Sequence, residues 1–126
     1  MSKTVLVVDD EVNIVTSLEY VMKAAGFDVA TAYDGEEALT KIAEIVPDLV
    51  ILDVMMPKLD GFEVCEKVRA NPLWESVSIV MLTAKGRDSE REKGLSLGAN
   101  DYLTKPFSTH DIVQRVKELL SDDEEK

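Results

Sequence analysis

Three short segments rich in apolar residues, each followed at once by charged residues, most constrain the fold of this chain. The segments and the residues after them are 5–8 with Asp9 and Asp10, 49–52 with Asp53, and 101–104 with Lys105. Runs of Val, Ile and Leu of this length are typical of strands buried on both faces of a parallel sheet. In such sheets, ligands bind beyond the carboxyl ends of the strands. We therefore expect the charged residues to converge at one edge of the sheet.

Strand-like and helix-like segments alternate five times along the 126 residues. Asp34 and Asp60 are each followed three residues later by a glutamate, which predicts capping boxes at two helix N-termini. Strands that alternate with helices imply right-handed crossovers and a parallel sheet covered by helices on both faces. The predicted fold is a doubly wound α/β domain with a five-stranded parallel sheet in the flavodoxin-like order 2-1-3-4-5.

The helix predicted for residues 87–97 is the weakest of the five. It has few apolar residues, and its internal Gly94 costs about 1 kcal/mol relative to Ala. In the last predicted helix, apolar residues between positions 112 and 120 form one stripe, and Ser108 and Asp111 are candidate caps. Gly26 is expected to end the first helix.

Composition excludes several classes of function. The net charge of −11 argues against direct binding of nucleic acid, which depends on Lys and Arg. No apolar run approaches the ~18 residues of a membrane span, and the N-terminus does not resemble a secretory signal. The single cysteine, Cys65, excludes an internal disulfide and suits a reducing compartment. We expect a cytoplasmic protein that binds no membrane, with one domain over residues 1–120 and an acidic, disordered tail over 121–126.

Three carboxylates at one edge of a sheet would repel one another. Two of them about 4 Å apart repel by about 4 kcal/mol at an effective dielectric of about 20. Asp9, Asp10 and Asp53 therefore require a cation, or one of them must hold a proton. Mg²⁺ fits, since it takes oxygen ligands and is often held by one or two carboxylates together with waters and a phosphate. Lys105 supplies a second positive charge that could reach a carboxylate or a phosphoryl oxygen.

Four motifs in a fixed order are more specific together than any one of them alone. They are VVDDE at 7–11, LDVMMPKLDG at 52–61, LTA at 82–84 and DYLTKPF at 101–107. In this order and at these separations they resemble the receiver domain of bacterial response regulators, and the resemblance covers essentially the whole chain.

The resemblance implies a phosphoacceptor and a metal site. Asp53 matches the carboxylate nucleophile that takes a phosphoryl group as an acyl phosphate. Asp10, Asp53 and the backbone carbonyl of Met55 match ligands of Mg²⁺ (or Mn²⁺), and Asp9 matches an acid that usually acts through a bound water.

The resemblance also implies groups that bind the phosphoryl oxygens. Thr83 matches the hydroxyl donor, Lys105 the ammonium, and the amides of Val54 and Ala84 the backbone donors. Tyr102 matches an aromatic side chain that turns inward when Thr83 moves, so these two residues form the expected switch.

Several further expectations follow by position. The Lys105–Pro106 bond is predicted to be cis, and Glu11 to be solvated or to act behind the metal ligands. His110 is read as a solvated helix residue, Trp74 as a loop aromatic covering the core, and Cys65 as structural. Met55 and Lys85 match positions that flank the path of a hydrolytic water.

The resemblance implies a signalling role. The phosphoryl donor would be a phosphohistidine on a sensor histidine kinase or a histidine phosphotransfer protein. The chain would catalyse only its own phosphorylation and slow dephosphorylation, and it is not expected to be an enzyme acting on an outside substrate. Its output would be contact with a downstream protein through the fourth helix, fifth strand and fifth helix, without direct contact with nucleic acid.

Three alternatives stay open. The chain could be the receiver part of a larger regulator or hybrid kinase, although the start at Met1 and the acidic end mildly favour a stand-alone protein. A Mg²⁺-dependent phosphatase with an aspartate nucleophile would carry an Asp-x-Asp motif after the first strand, whereas in this chain Asp9 and Asp10 are adjacent. A flavodoxin-type FMN carrier would need a phosphate loop rich in Ser, Thr and Gly there.

Overall fold

The computed structural model describes residues 3–84 and 88–121. In this part of the chain, five strands alternate with five α-helices. In order they are β1 (Thr4–Val8), α1 (Val12–Ala24), β2 (Asp28–Ala32), α2 (Gly35–Ile45), β3 (Leu49–Asp53), α3 (Gly61–Ala70), β4 (Ser78–Ala84), α4 (Asp88–Ser96), β5 (Asp101–Lys105) and α5 (Thr109–Ser121). A single 3-10 turn, Pro72–Trp74, joins α3 to β4.

All five strands form one parallel sheet in the order β2-β1-β3-β4-β5, which confirms the predicted fold and strand order. Each face of the sheet carries its own core: α2 and α3 cover one face, and α1 and α5 cover the other. Every residue of β3 is buried, as is β1 from Val5 onward. The continuous apolar runs therefore arise because these central strands have no solvent-facing side.

The order of the strands determines where a ligand site can form. The chain passes from β1 to β2 on one side and later returns to β3 on the other side of β1. Helices leave the carboxyl ends of these strands in opposite directions, so a crevice opens between them. Asp9 and Asp53 lie at the carboxyl ends of β1 and β3, the two strands that flank this switch point.

The two predicted capping boxes differ in detail. Asp60 accepts a hydrogen bond from Glu63 N at 2.9 Å, and the Glu63 carboxylate accepts one from Asp60 N at 2.9 Å. Asp34 likewise accepts from Glu37 N at 2.8 Å, but the Glu37 carboxylate accepts from Tyr33 N, one residue before the cap. The reciprocal bond predicted at Asp34 is therefore displaced by one residue.

The termini of the other helices also depend on particular residues. Gly26, with φ 101°, follows α1 in the left-handed region that glycine adopts at low cost. Ser108 Oγ accepts a hydrogen bond from Asp111 N at 3.3 Å at the start of α5. Ser121, which the sequence analysis placed in the tail, is the last residue of α5, and residues 122–126 lie outside the described residues.

Helix α4 has little apolar surface with which to pack. Its sequence is DSEREKGLS, and its buried residue is Gly94. A Cβ on Gly94 would lie 2.9 Å from Met81 Sδ, so glycine allows α4 to approach β4 closely. The predicted weak helix is thus present, and Arg87, its predicted first residue, lies outside the described residues. In the part of the chain that the structure covers, no helix is both long enough and apolar enough to cross a bilayer.

Candidate functional site: an acid cluster with a lysine

The charged residues that follow the three strands meet at one edge of the sheet. Lys105, the last residue of β5, places its Nζ 3.0 Å from Asp9 Oδ2 and 3.2 Å from Asp53 Oδ1. Since β5 is separated from β3 by β4, the lysine side chain passes over the end of β4 to reach the acids. The predicted convergence of these residues is confirmed.

The three aspartates differ sharply in their exposure. Asp9 is fully buried and Asp53 is 5% exposed, whereas Asp10 is exposed. One carboxylate oxygen from each residue lies within 4.8 Å of the others, a spacing at which a single cation could contact all three. Buried acids so close together require a positive charge, because water can screen little of their repulsion.

The two oxygens of Asp9 show that this cluster fits a hard cation. Asp9 Oδ1 accepts a hydrogen bond from Glu11 N at 2.9 Å. Asp9 Oδ2 is buried and accepts no hydrogen bond of good geometry from the described residues, although the Lys105 ammonium lies within ion-pair distance. A buried carboxylate oxygen of this kind is a suitable ligand for Mg²⁺, directly or through a water.

Burial and mutual repulsion change the proton affinities of the site. Burial, with the nearby charge of Asp9, raises the pKa of Asp53 from 3.8 to about 6, although Lys105 opposes the shift. Burial also raises the pKa of Asp9. For Lys105, burial alone would lower the pKa, but the contacts with Asp9 and Asp53 outweigh it and raise the pKa, so the ammonium stays charged.

Glu11 also lies at this site, in contact with Lys105. Its side chain is 61% exposed, and Glu11 Oε1 lies 3.2 Å from Lys105 Nζ. The prediction of a solvated residue, or of one acting behind the metal ligands, is therefore incomplete, because Glu11 contacts the lysine directly. In the sequence, the only indication of this contact is that Glu11 directly follows Asp9 and Asp10.

The predicted phosphoryl-binding groups lie near the site. Thr83 is buried in β4, one residue beyond the partner of Asp53 in the ladder, and Ala84 ends the strand. Val54 N donates a hydrogen bond to Leu82 O at 3.1 Å. In this phosphate-free structure the Val54 amide is used by the sheet, so its role as a phosphoryl donor stays a prediction and would require that this bond be released or shared.

The predicted switch aromatic, Tyr102, lies on β5. It is half-buried and packs against the core on the α2 and α3 side of the sheet. The guanidinium carbon of Arg91 in α4 lies 4.5 Å from the centre of its ring, a distance typical of a cation–π contact. Tyr102 thus connects β5 to the helix with the least apolar packing.

The loop between β3 and α3 is held from both ends, and it carries Met55. A Cβ at Gly61 would collide with the backbone carbonyl of Asp53, and one at Gly35 would collide with that of Leu59. Lys58 adopts φ 71° and extends toward the N-terminus of α2. These close approaches constrain the loop that carries Met55.

An open cavity of about 830 Å³ covers the acid cluster. Asp10, Asp53 and Lys105 line it together with Met55 and Ala84, and it extends along α1 and over the residues after β5. The Lys105–Pro106 peptide bond at its rim is cis. The site is therefore accessible to a group presented by another molecule.

The remaining residues singled out from the sequence lie away from this site. His110 is exposed on α5, and Trp74 is half-buried against the core. Cys65 is buried, and its thiol lies 3.6 Å from Leu97 O as a weak hydrogen-bond donor. Lys85, expected to flank the path of a hydrolytic water, lies outside the described residues.

Comparisons with known proteins agree with this geometry. The family model of the response regulator receiver domain matches residues 5–117. The alkaline phosphatase synthesis transcriptional regulatory protein PhoP of Bacillus subtilis is 53% identical over 120 residues, which are 95% of this chain and 49% of that protein. The chain therefore spans about half the length of this curated relative.

Solved structures give the same result for the fold. A protein assigned as a response regulator from Chloroflexus aurantiacus J-10-fl superposes with a TM-score of 0.92 at 44% identity, over 96% of this chain and 99% of that one. The chemotaxis response regulator CheY4 of Vibrio cholerae superposes with a TM-score of 0.89 at 33% identity, over 95% of this chain and 100% of that one.

Proposed function

We propose that this chain, which belongs to the response regulator receiver domain family, accepts a phosphoryl group on Asp53 and changes conformation in response. The observation that carries the proposal is the contact of 3.2 Å between Asp53 Oδ1 and Lys105 Nζ at the floor of an open cavity. A nearly buried carboxylate beside a fixed ammonium is arranged to attack a phosphorus atom and to hold the resulting phosphoryl group.

The proposed donor is a phosphohistidine on a sensor histidine kinase or a histidine phosphotransfer protein. An oxygen of Asp53 forms a bond to phosphorus while the P–N bond breaks, and the electron pair of that bond remains on the imidazole, which takes a proton. Lys105 and the Thr83 hydroxyl then contact phosphoryl oxygens. Such a reaction depends on positioning and on neutralising the charge of those oxygens. Asp53 must be ionised to attack, and its pKa of about 6 allows this at neutral pH.

A divalent cation is part of the proposal. Asp10, Asp53 and the Met55 carbonyl would hold Mg²⁺ or Mn²⁺, and Asp9 would act through a water, as its buried Oδ2 atom suggests. When bound, the cation neutralises the acids and the phosphoryl oxygens. Lys105 supplies a further positive charge to the same acids.

The partners of the chain follow from its family. A receiver domain implies a histidine kinase as phosphoryl donor, and we propose that the output is a protein contact through α4, β5 and α5. The PhoP relative is named a transcriptional regulatory protein. We propose that turnover is limited to the chain's own phosphorylation and hydrolysis. A cytoplasmic location is also part of the proposal, since a lone cysteine suits a reducing compartment.

Phosphorylation of Asp53 gives the direct test. Incubation with acetyl phosphate and Mg²⁺ should add one phosphoryl group per chain, measured by intact-protein mass spectrometry. Asp53→Asn should abolish the mass increase, and Asp10→Ala or omission of Mg²⁺ should strongly reduce it. Asp28→Asn, at an exposed position at the other end of the sheet, is the matched control and should be labelled like the parent. Labelling of Asp53→Asn at the parent level would disprove the assignment.

The proposed switch predicts where the structure responds. Beryllofluoride, a mimic of the phosphoryl group, should draw Thr83 toward Asp53 and let Tyr102 turn inward, which would break the contact with Arg91. Because α4 buries little besides Gly94, it is the helix expected to move. Amide NMR signals of Thr83, Tyr102 and residues 88–100 should therefore shift. If only signals next to Asp10 and Asp53 shift, the site binds the mimic without driving this switch.

A further inference from the structure

Lys105 contacts three carboxylates at once. Its Nζ lies 3.0 Å from Asp9 Oδ2, 3.2 Å from Asp53 Oδ1 and 3.2 Å from Glu11 Oε1. A lysine ammonium has three N–H donors. Among the described residues, the hydrogen bond of good geometry goes to Glu11 Oε1, while Asp9 and Asp53 lie at ion-pair distance. A phosphoryl oxygen that approaches the ammonium therefore competes with these acids.

The three acids differ in how easily they can withdraw. The Asp9 side chain is 0% exposed, so releasing it from the lysine would leave a buried charge without its partner. Asp53, 6% exposed, carries the phosphoryl group itself and stays in place. The Glu11 side chain is 61% exposed and can return to water at little cost. Asp9 is also held by the Glu11 backbone amide, which stays in place when the glutamate side chain turns away.

We propose that Glu11 is an exchangeable counter-ion of Lys105. In the phosphate-free protein, its carboxylate accepts a hydrogen bond from the ammonium and helps to hold the lysine beside the acid cluster. When a phosphoryl group forms on Asp53, one of its oxygens replaces Glu11 on Lys105, and the glutamate side chain moves into solvent. This inference rests on the proposed function and adds to it a residue that competes with the phosphoryl group and thereby sets how tightly the site holds it.

The position of Glu11 makes the idea testable without disturbing the fold. Glu11 is the N-cap residue of α1, but its side chain makes no capping hydrogen bond, so replacing it removes no cap. Glu11→Gln removes the charge. Glu11→Asp keeps the charge but shortens the side chain by one methylene, and aspartate at an N-cap tends to bond the helix amides instead. The second variant therefore separates contact with Lys105 from general repulsion.

The experiment is a titration of the parent and both variants with beryllofluoride at saturating Mg²⁺, followed by NMR or tyrosine fluorescence. We expect both variants to bind it about two- to fivefold more tightly than the parent, as the loss of a competing exposed ion pair predicts. Affinity for Mg²⁺ alone should not increase, because that ion does not use the lysine. Glu44→Gln makes the same charge change on the exposed surface of α2 and should leave both affinities at the parent values.

Other outcomes would overturn the inference. Tighter binding by Glu11→Gln but not by Glu11→Asp would mean that Glu11 acts by long-range repulsion alone. Weaker binding of both Mg²⁺ and beryllofluoride in the two variants would mean that Glu11 supports the metal. Failure of the parent itself to bind beryllofluoride would overturn the proposed function, and this result is distinguishable because it does not involve the variants.

Discussion

Asp53→Asn is expected to raise the free energy of unfolding of the metal-free protein by about 2–3 kcal/mol at pH 7.5. In the parent, burial and the nearby charge of Asp9 disfavour the ionised form of Asp53 and raise its pKa from 3.8 to about 6. Asparagine has nearly the same shape without the charge, so the cost of the ionised carboxylate disappears. Urea unfolding in EDTA, followed by circular dichroism, measures the difference.

The sign of the pH dependence follows from the raised pKa. The folded protein binds the Asp53 proton more tightly than the unfolded chain does. Ionisation of Asp53 therefore does not lower the free energy of unfolding below about pH 3.8 and lowers it by the full amount above about pH 6. The advantage of Asp53→Asn should therefore be small at pH 4 and grow as the pH rises. Mg²⁺ should reduce it at pH 7.5, because the cation stabilises the parent's acids more than those of the variant.

Two results would contradict this explanation. An equal gain at pH 4 and pH 7.5 would show that packing, and not charge, distinguishes the variant. A similar gain in Asp28→Asn, whose carboxylate is exposed at the opposite end of the sheet, would show a general effect of net charge.

Lys105→Met should have the opposite effect and destabilise the metal-free protein by about 3 kcal/mol at pH 7.5. Methionine retains much of the apolar stem, but the ammonium that contacts Asp9 and Asp53 is lost, and two buried carboxylates then lack this counter-charge. The same substitution in an Asp53→Asn background should cost less, because one of the two buried charges is already absent. The double-mutant cycle measures this coupling.

Lys58→Met is the matched control for this prediction. Its ammonium lies 3.8 Å from Asp34 and 3.9 Å from Glu36, but its side chain is 57% exposed, so loss of these contacts should cost less than about 1 kcal/mol. If Lys105→Met costs no more than Lys58→Met, the lysine does not stabilise the acid cluster.

Much of the fold is predictable from the sequence because its determinants are local or periodic. The run at 49–52 is apolar at every position because β3 is buried on both faces. Asp60 and Glu63 lie at the spacing that closes a capping box within one turn. Once the strands are recognised as parallel and alternating with helices, handedness and connection rules leave few sheet orders, so the convergence of Asp9, Asp53 and Lys105 could be expected.

The tertiary structure alone decided how these residues share the site. Asp9 and Asp10 are adjacent and chemically identical, yet the first is fully buried and the second exposed. The Asp9 amide still donates a hydrogen bond to Ala32 O of β2, whereas Asp10 lies one residue further from the sheet. Val54 N proved to be bonded to Leu82 O, and Glu11 reached Lys105, 94 residues away. Contacts of this kind, like the raised pKa of Asp53, depend on ångström-scale distances between separate elements, which local periodicity does not encode. The sequence by itself therefore determined which residues meet, and the packing of β1, β3 and β5 determined which of them are buried, paired and ionised.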